Sequence, residues 1–353
     1  MKRLGFFLVL LLIVIGWWLV DFLMDAGQFK SIQPHFSGTC FEVAGISGPE
    51  DITIHPGKRI AYISSSDRWA LEQGEPGQGA IFSYDLSKDH PKPVIMQHDF
   101  ADDFNPHGIS LFVDKQGNER LFVVNHSKGR HSIEIFQLNN DNLVHLETLQ
   151  DPVMISPNDV VAVGLNQFYF TNDHGYADGA LRIIEEYARL KRANLVYYDG
   201  QSYKEVASGF SYANGVNVSR DGKKLFLAAT TEMTLYVFQR DIESGALNQE
   251  AEIALDTGVD NIEIDANGDV WIGAHPQLLK FVGHAGDSSK LSPAQVLRIR
   301  QNSSGDYVVE ETYLNDGQEL SGSSVAAVLA NRLLIGAVFE SRFLDCRMSQ
   351  HPQ

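Results

Sequence analysis

The sequence predicts an all-β protein, a six-bladed β-propeller with four-stranded blades. An N-terminal transmembrane or signal-anchor helix and one short inserted helix complete it. Three observations predict this. A pattern of polar cluster, alternating apolar strand, turn and second apolar strand recurs six times. Asp221-Gly222 and Asn267-Gly268 sit between such strands, and these dipeptides are strong hairpin signals. Consecutive copies lie between 46 residues apart (Asn214 to Asp260) and 63 apart (Asp260 to Ser323), room for about four short strands each.

At the N-terminus, Lys2 and Arg3 precede an uncharged apolar run from Leu4 to Val20. As a helix this run is about 25 Å long, just short of a hydrocarbon core. It ends in Trp17 and Trp18, which suit a membrane interface, before Asp21. A cleaved signal peptide needs a small residue at −3, and the available cut after Ala26 has Met24 there. Residues 1–26 therefore read as an uncleaved signal-anchor, with a signal peptide as the alternative. Residues 27–353 read as an extracytoplasmic propeller on the periplasmic or secretory side, with the membrane a partner through the helix.

The first copy runs from Glu50 to Ile54 and through Pro56-Gly57 to Ala61–Ile63. The second runs from His107 to Leu111 and on to Leu121–Val124, and the third from Asn158 to Val163 and on to Phe168–Phe170. The fourth joins Asn214–Val218 to Leu225–Leu227, the fifth Asp260–Ile264 to Val270–Ile272, and the sixth Ser323–Ala327 to Leu333–Ile335. Each pair reads as the inner hairpin of one blade. Ala180–Leu190 breaks the pattern with helical spacing and reads as an inserted helix over one face.

Of 353 residues, 44% are hydrophobic and 21% charged, enough apolar material for a large core, which excludes wholesale disorder. Lys and Arg number 28 against 45 Asp and Glu, a net charge of −17. No basic surplus exists to neutralise phosphates, so no nucleic-acid partner is expected. The only cysteines, Cys40 and Cys346, lie near the two ends of the propeller. Export permits a disulfide between them, and a propeller needs its first and last blades joined. Closing so long a loop is worth roughly 5–6 kcal/mol in the chain-entropy view, an upper figure.

Equivalent positions in repeated blades converge on the propeller axis. The residues opening the inner strands are Glu50 with Asp51, His107, Asn158 with Asp159, Asn214, Asp260 with Asn261, and Ser323 with Ser324. Four carboxylates facing one another demand a cation. Carboxylate and amide oxygens suit Ca²⁺, and no zinc-type Cys/His set is present. Taken singly, these are also ordinary turn and cap residues; their recurrence in phase carries the metal reading. His107 and His126, on successive strands of one blade, are candidates for a general base and its partner. His174 and His275 are further candidates, with His275 following the fifth-blade strand.

These stretches resemble the paraoxonase (serum arylesterase and lactonase) family. The resemblance spans about Gln33 to Cys346. It rests on Phe104-Asn105-Pro106-His107-Gly108-Ile109-Ser110, Val123-Val124-Asn125-His126, Asn158-Asp159-Val160-Val161-Ala162-Val163-Gly164, Thr171-Asn172-Asp173-His174, Val259-Asp260-Asn261-Ile262 and Leu333-Leu334-Ile335-Gly336. It implies a six-bladed propeller holding two Ca²⁺ ions. Glu50, Asn158, Asn214, Asp260 and Asn261 match the ligands of a catalytic calcium. Asp51, Asp159 and the Ile109 carbonyl match those of a structural calcium. His107 and His126 match a catalytic histidine dyad, and Cys40 with Cys346 a disulfide.

The implied activity is calcium-dependent hydrolysis of lactones and aryl or other carboxylic esters, with promiscuous phosphotriester hydrolysis. The split of roles among His107, His126 and Asp260 stays open. One alternative is a gluconolactonase-type propeller, which lacks the Phe104–Ile109 element. Another is a non-catalytic, calcium-stabilised propeller that binds protein or carbohydrate. The chain departs from the family at Ala274, at Asp67-Arg68-Trp69, and in the charges Arg182, Glu185, Glu186 and Arg189 on the inserted helix. Those charges predict no lipoprotein association. Sequons begin at Asn125, Asn217 and Asn302, the first two at inner-blade positions expected to be poorly exposed.

Overall fold

A computed structural model describes residues 2–75, 79–127, 130–139 and 142–349, without the side chains of residues 2–6, 8 and 9. The positive flank expected of the anchor, Lys2 and Arg3, thus lies outside the described side chains.

Among the described residues six sheets form the body, one per blade, antiparallel but for one short edge pairing in blade two. Blade one comprises Pro49–Ile54, Ile60–Ser65, Ala80–Asp85 and Val94–Ile95. Blade two holds Pro106–Val113, Glu119–Ser127, Arg130–Asn139 and Asn142–Leu149, with Gln97–His98 added at its edge. Blade three runs Pro157–Ala162, Phe168–Asn172, Ala193–Tyr198 and Tyr203–Phe210. Blade four runs Ala213–Val218, Lys224–Ala229, Thr234–Arg240 and Leu247–Ala254. Blade five runs Gly258–Ile264, Val270–His275, Ala294–Gln301 and Tyr307–Asn315, with His35–Phe36 at its edge. Blade six takes Ser323–Leu329, Arg332–Ala337 and Arg342–Met348 from the C-terminal end and its outermost strand, Gly38–Ala44, from the N-terminal end. All six hairpins read from the repeats are inner pairs.

Burial explains the sequence pattern. Second strands such as Phe168–Asn172 and Val270–His275 are buried throughout and are apolar or small up to their last residue, Asn172 or His275. Outermost strands such as Leu247–Ala254 face water over most of their length and alternate Glu and Gln with Ala and Ile. Six apolar clusters fill the six seams between neighbouring blades. Val161, Tyr169, Leu225 and Leu227 join blades three and four, and Ile52, Ile63, Val325 and Leu334 join one and six. Truncating one such leucine to alanine costs about 2–5 kcal/mol.

The ring closes in blade six. Cys40 pairs directly with Cys346 in the ladder between Gly38–Ala44 and Arg342–Met348, and the two are disulfide-bonded across 306 residues. Beneath them, Arg332 forms a buried ion pair with Asp345, whose Oδ2 also accepts from the Tyr84 hydroxyl of blade one at 2.8 Å.

Among the described residues four helices lie outside the blades: α1 (Lys2–Asp25), α2 (Arg68–Glu72), α3 (Gly179–Tyr187) and α4 (Leu278–Gly286). α3 is the expected insertion, ending three residues early; α2 and α4 went unanticipated. Among the described residues no helix is long and apolar enough to cross a membrane. The charges of α3 do not form its outer face. Glu185 is buried and accepts the Gly175 N–H at 2.8 Å, and Arg182 donates to Ser156 Oγ at 2.8 Å. Leu181, Ile183, Ile184 and Tyr187 point outward instead, each about half exposed. Arg182 and Glu185 thus face the propeller, and the exposed stripe of the helix is apolar.

Candidate active site

The residues at the axis owe their orientation to a bulge repeated in every blade. Each inner strand slips register just after its first paired residue, or in blade five its second, Val259. The skipped pairs are Glu50-Asp51, His107-Gly108, Asn158-Asp159, Asn214-Gly215, Asp260-Asn261 and Ser324-Val325. A bulge re-aims the side chains it carries. Blade six corrects the sequence reading: Ser324 and Val325 are in phase, and Ser323 stands one position early. Adjacent serines gave no way to tell the register.

The first member of the pair in blades one to five lines a cleft at one end of the channel: Glu50, His107, Asn158, Asn214 and Asp260. The second members differ. Gly108 and Gly215 leave room for the neighbouring strand, since a Cβ on Gly108 would stand 2.4 Å from Asp159 Oδ1 and one on Gly215 2.5 Å from the Asp260 carbonyl. Asp51 and Asp159 form a lower layer.

In the upper layer, Glu50 Oε2, Asn158 Oδ1, Asn214 Oδ1 and Asn261 Oδ1 are buried without a hydrogen-bond partner. Their amide nitrogens are all engaged. Asn158 Nδ2 donates to Asp173 Oδ2 at 3.2 Å, Asn214 Nδ2 to Thr230 Oγ1 at 3.1 Å, and Asn261 Nδ2 to Glu50 Oε1 at 2.7 Å. These bonds fix each amide with its oxygen free. Buried acceptors left unpaired cost about 1–3 kcal/mol each, so the arrangement calls for a cation. Among the described residues no three His, Cys, Asp or Glu side chains gather into a metal cluster by themselves. The set mixes carboxylate with amide oxygens, which fits a hard cation such as Ca²⁺. Burial alone would raise the Glu50 carboxyl, but the neighbouring His107 and Arg68 pull it down to about 2. Burial raises Asp260, opposed by His275, whose Nε2 lies 2.9 Å from Asp260 Oδ2.

The lower layer has no orphaned oxygen. Asp51 accepts the N–H groups of Ile52 at 2.8 Å and Ile109 at 2.7 Å. Asp159 does the same with Val160 and Val216, both at 2.7 Å. Each carboxylate thus bonds its own strand and the inner strand of the next blade. Burial, and then a nearby carboxylate, pushes both well above the usual range: Glu50 acts on Asp51, and Asp51 on Asp159.

The histidines meet. His107 Nδ1 and His126 Nε2 are 2.9 Å apart, and His107 Nε2 lies 3.5 Å from Glu50 Oε1. Burial, then His107 and His131, depresses His126 well below an ordinary imidazole. His275 lines the cleft. His174 does not; its Nδ1 is 2.7 Å from Asp173 Oδ1, in the network that fixes Asn158.

The cleft has a volume of about 370 Å³ and mostly apolar walls, among them Phe22, Met233, Leu278, Phe281 and Phe339. Arg68 brings the only cation at its floor among the described residues, 3.7 Å from Glu50 and bonded to the Val338 carbonyl at 3.2 Å. Tyr212 and Met233, both lining residues, hold positive φ angles of 59° and 54°. Non-glycine residues are rarely kept there except at functional sites. The end of α1 supplies part of the wall: Phe22, Asp25 and Ala26. Arg189 ties it to the propeller through Asp25 at 2.5 Å, and the Leu278 N–H donates to the Ala26 carbonyl at 3.0 Å.

Sequence reasoning missed this contribution of α1, the roles of α2 and α4, and His131, which lies 2.8 Å from His126. Only the strand spacing could have found His131, since the ladder pairs it directly with His126. Of the sequons, Asn125 is fully buried, Asn217 is half-buried and bonded to the Ile262 carbonyl, and Asn302 is exposed.

Comparison with known proteins follows the same lines. The luciferin-regenerating enzyme superimposes with a TM-score of 0.57 at 12% identity, over 88% of this chain and 95% of that one. The calcium-binding protein regucalcin from Agrobacterium tumefaciens gives 0.51 at 13%, over 90% and 97%. At such identities these neighbours speak for the propeller alone. Serum paraoxonase/arylesterase 2 of Gallus gallus is 38% identical over 328 residues, covering 90% of this chain and 91% of the relative. Serum paraoxonase/lactonase 3 of Oryctolagus cuniculus is 34% identical, covering 92% and 93%. The family model described as Arylesterase matches residues 31–348, from the edge strand of blade five to the last strand of blade six. With every blade inside that match, the chain belongs to the arylesterase family.

Proposed function

We propose that the protein hydrolyses lactones and aryl or other carboxylic esters with calcium as its cofactor. One observation carries the reading: partnerless buried oxygens converge beside an imidazole pair at the floor of an apolar cleft. Glu50, Asn158, Asn214, Asp260 and Asn261 would hold a catalytic Ca²⁺. Asp51, Asp159 and the Ile109 carbonyl would hold a structural one. When bound, the catalytic ion supplies electrophilic polarisation of the scissile carbonyl and stabilises its developing charge. His107 accepts a proton from the attacking water at Nε2, the nitrogen facing the cleft. His126, partly buried and kept neutral, accepts from His107 Nδ1 and fixes the ring. The apolar walls favour acyl and aryl groups over a polyhydroxylated sugar lactone. A phosphotriester oxygen fits the same electrophilic position, so promiscuous hydrolysis of that class follows.

The domain assignment goes with this reading: residues 1–26 as anchor, 27–353 as hydrolase, held on the extracytoplasmic side. Support for a membrane-facing mouth comes from exposed Met24, Phe29, Leu181, Ile183, Ile184 and Val282 around the cleft helices. Apolar surface of this extent marks an interaction site.

The test is turnover of phenyl acetate and a lactone panel by the full chain, with calcium and with excess chelator. Activity should vanish with chelator and return with calcium, and His107→Ala should lose most of it. Tight calcium binding without turnover of any substrate would sink the reading in favour of a purely structural ring.

A further inference from the structure

The imidazole pair does not end at His126. On its far side, His126 Nδ1 stands 2.8 Å from His131 Nδ1, with the rings edge to face at 88°. Three imidazoles thus form one hydrogen-bonded file, from His107 at the cleft to His131 on the next strand of blade two. His131 is half-buried and opens on a separate surface depression lined by Arg130, Asp151, Met154 and Asp178. None of those residues lines the substrate cleft. Burial holds His131 below an ordinary imidazole, opposed by Asp173 just past the second strand of blade three and reinforced by Arg182 of α3.

We propose that His131 is the outer end of a three-imidazole relay that holds the reaction's proton during turnover, at a solvent-facing depression separate from the substrate cleft. The proposal rests on the hydrolase reading above. Water gives a proton to His107 Nε2 as its oxygen bonds to the carbonyl carbon. The proton on His107 Nδ1 passes to His126 Nε2, and that on His126 Nδ1 passes to His131 Nδ1. His107 and His126 are then neutral in their other tautomers, and His131 is the imidazolium. Reversing the hops returns the proton to the leaving alkoxide as the acyl–oxygen bond breaks, and restores all three rings. The benefit is electrostatic. An imidazolium at His107 would stay in the low-dielectric floor of the cleft, 3.5 Å from Glu50 Oε1, and would compete for a carboxylate that the ring needs for its cation. At His131 the charge meets the water of the depression with Asp151 and Asp178 at its rim, against Arg130 and Arg182.

The experiment compares the full chain with His131→Ala and His131→Asn on a lactone, in weak buffer with saturating calcium. Asparagine can still hydrogen-bond to His126 but cannot take a proton. Both variants should lose about tenfold in kcat with KM nearly unchanged, a modest share of a proton-transfer contribution. Added imidazole should restore His131→Ala, whose missing ring leaves a hole facing the depression. In the wild type, a shared N–H proton between His126 and His131 should appear far downfield in the NMR spectrum and vanish in His131→Ala. Wild-type kcat in His131→Asn would overturn the relay, as would a folded His131→Ala that imidazole fails to restore. If the wild type itself turns over nothing, the hydrolase reading fails and the relay with it. If the wild type is active and His131→Asn matches it, the relay alone fails.

Discussion

Glu50 and Asp51 are neighbours in the chain, as are Asn158 and Asp159, yet the layers they build differ in how their oxygens are satisfied. The upper layer holds four buried oxygens with no hydrogen-bond partner. The lower layer gives every carboxylate oxygen a backbone N–H, one from its own strand and one from the next blade. The upper layer is thus poised for something that comes and goes, and the lower layer is stitched into the scaffold. One bulge per blade makes both, because it points consecutive residues at the channel instead of at opposite faces of the sheet.

That contrast can be broken from either side. Glu50→Gln or Asn214→Ala should cut lactone turnover about 10³-fold, the scale of losing a preorganised electrostatic contact, while each variant in calcium unfolds at nearly the wild-type denaturant midpoint. Retained activity would mean that the upper oxygens are not catalytic. Asp159→Ala should act the other way. It strands the N–H groups of Val160 and Val216, at a cost of about 3 kcal/mol in urea unfolding. A change well below that would show that the layers do not divide the work. Asp345→Asn tests a buried carboxylate remote from both layers and should cost about 2 kcal/mol at neutral pH. Despite burial, Arg332 and Tyr84 hold Asp345 below the usual range. Its stabilisation is therefore full above the unfolded pKa of about 3.9 and is lost as pH falls through the lower folded value. The asparagine variant should show a shallower loss of stability between neutral and strongly acid pH. The smallest effect is expected from removing residues 1–26. Losing Phe22, Asp25 and Ala26 from the cleft wall should raise KM for long-chain lactones roughly tenfold and leave kcat nearly intact. An unchanged KM would show that the wall does not touch the acyl chain.

The blades and the upper ring were legible because both depend on repetition. A strand period of two and a recurring turn survive in any copy, and six copies corroborate one another. Details that occur once were not legible. Ser323 and Ser324 are chemically alike, so only the ladder fixes which is in phase. The charges of α3 were plain in the sequence but not the way they point, because a helical stripe has no sign of direction; burial of Glu185 and the bond from Arg182 to Ser156 decide it. α4, Leu278–Gly286, is too short and too apolar to stand apart from the strands around it. His131 took its place in the file only through cross-strand pairing with His126.

Closure through blade six also sets a timetable for the nascent chain. Gly38–Ala44 emerges early, but its ladder partner ends at Met348. At a synthesis rate of about 5–20 residues per second, the first strand waits roughly 15–60 s for the last. Through that interval it is an open sheet edge carrying Phe41 and Val43, the kind of segment that invites pairing with other chains. If the N-terminal helix stays in the membrane as proposed, it holds each waiting strand apart from its neighbours. Oxidation of Cys40 with Cys346 can then come only at the end, as the latch on a completed ring.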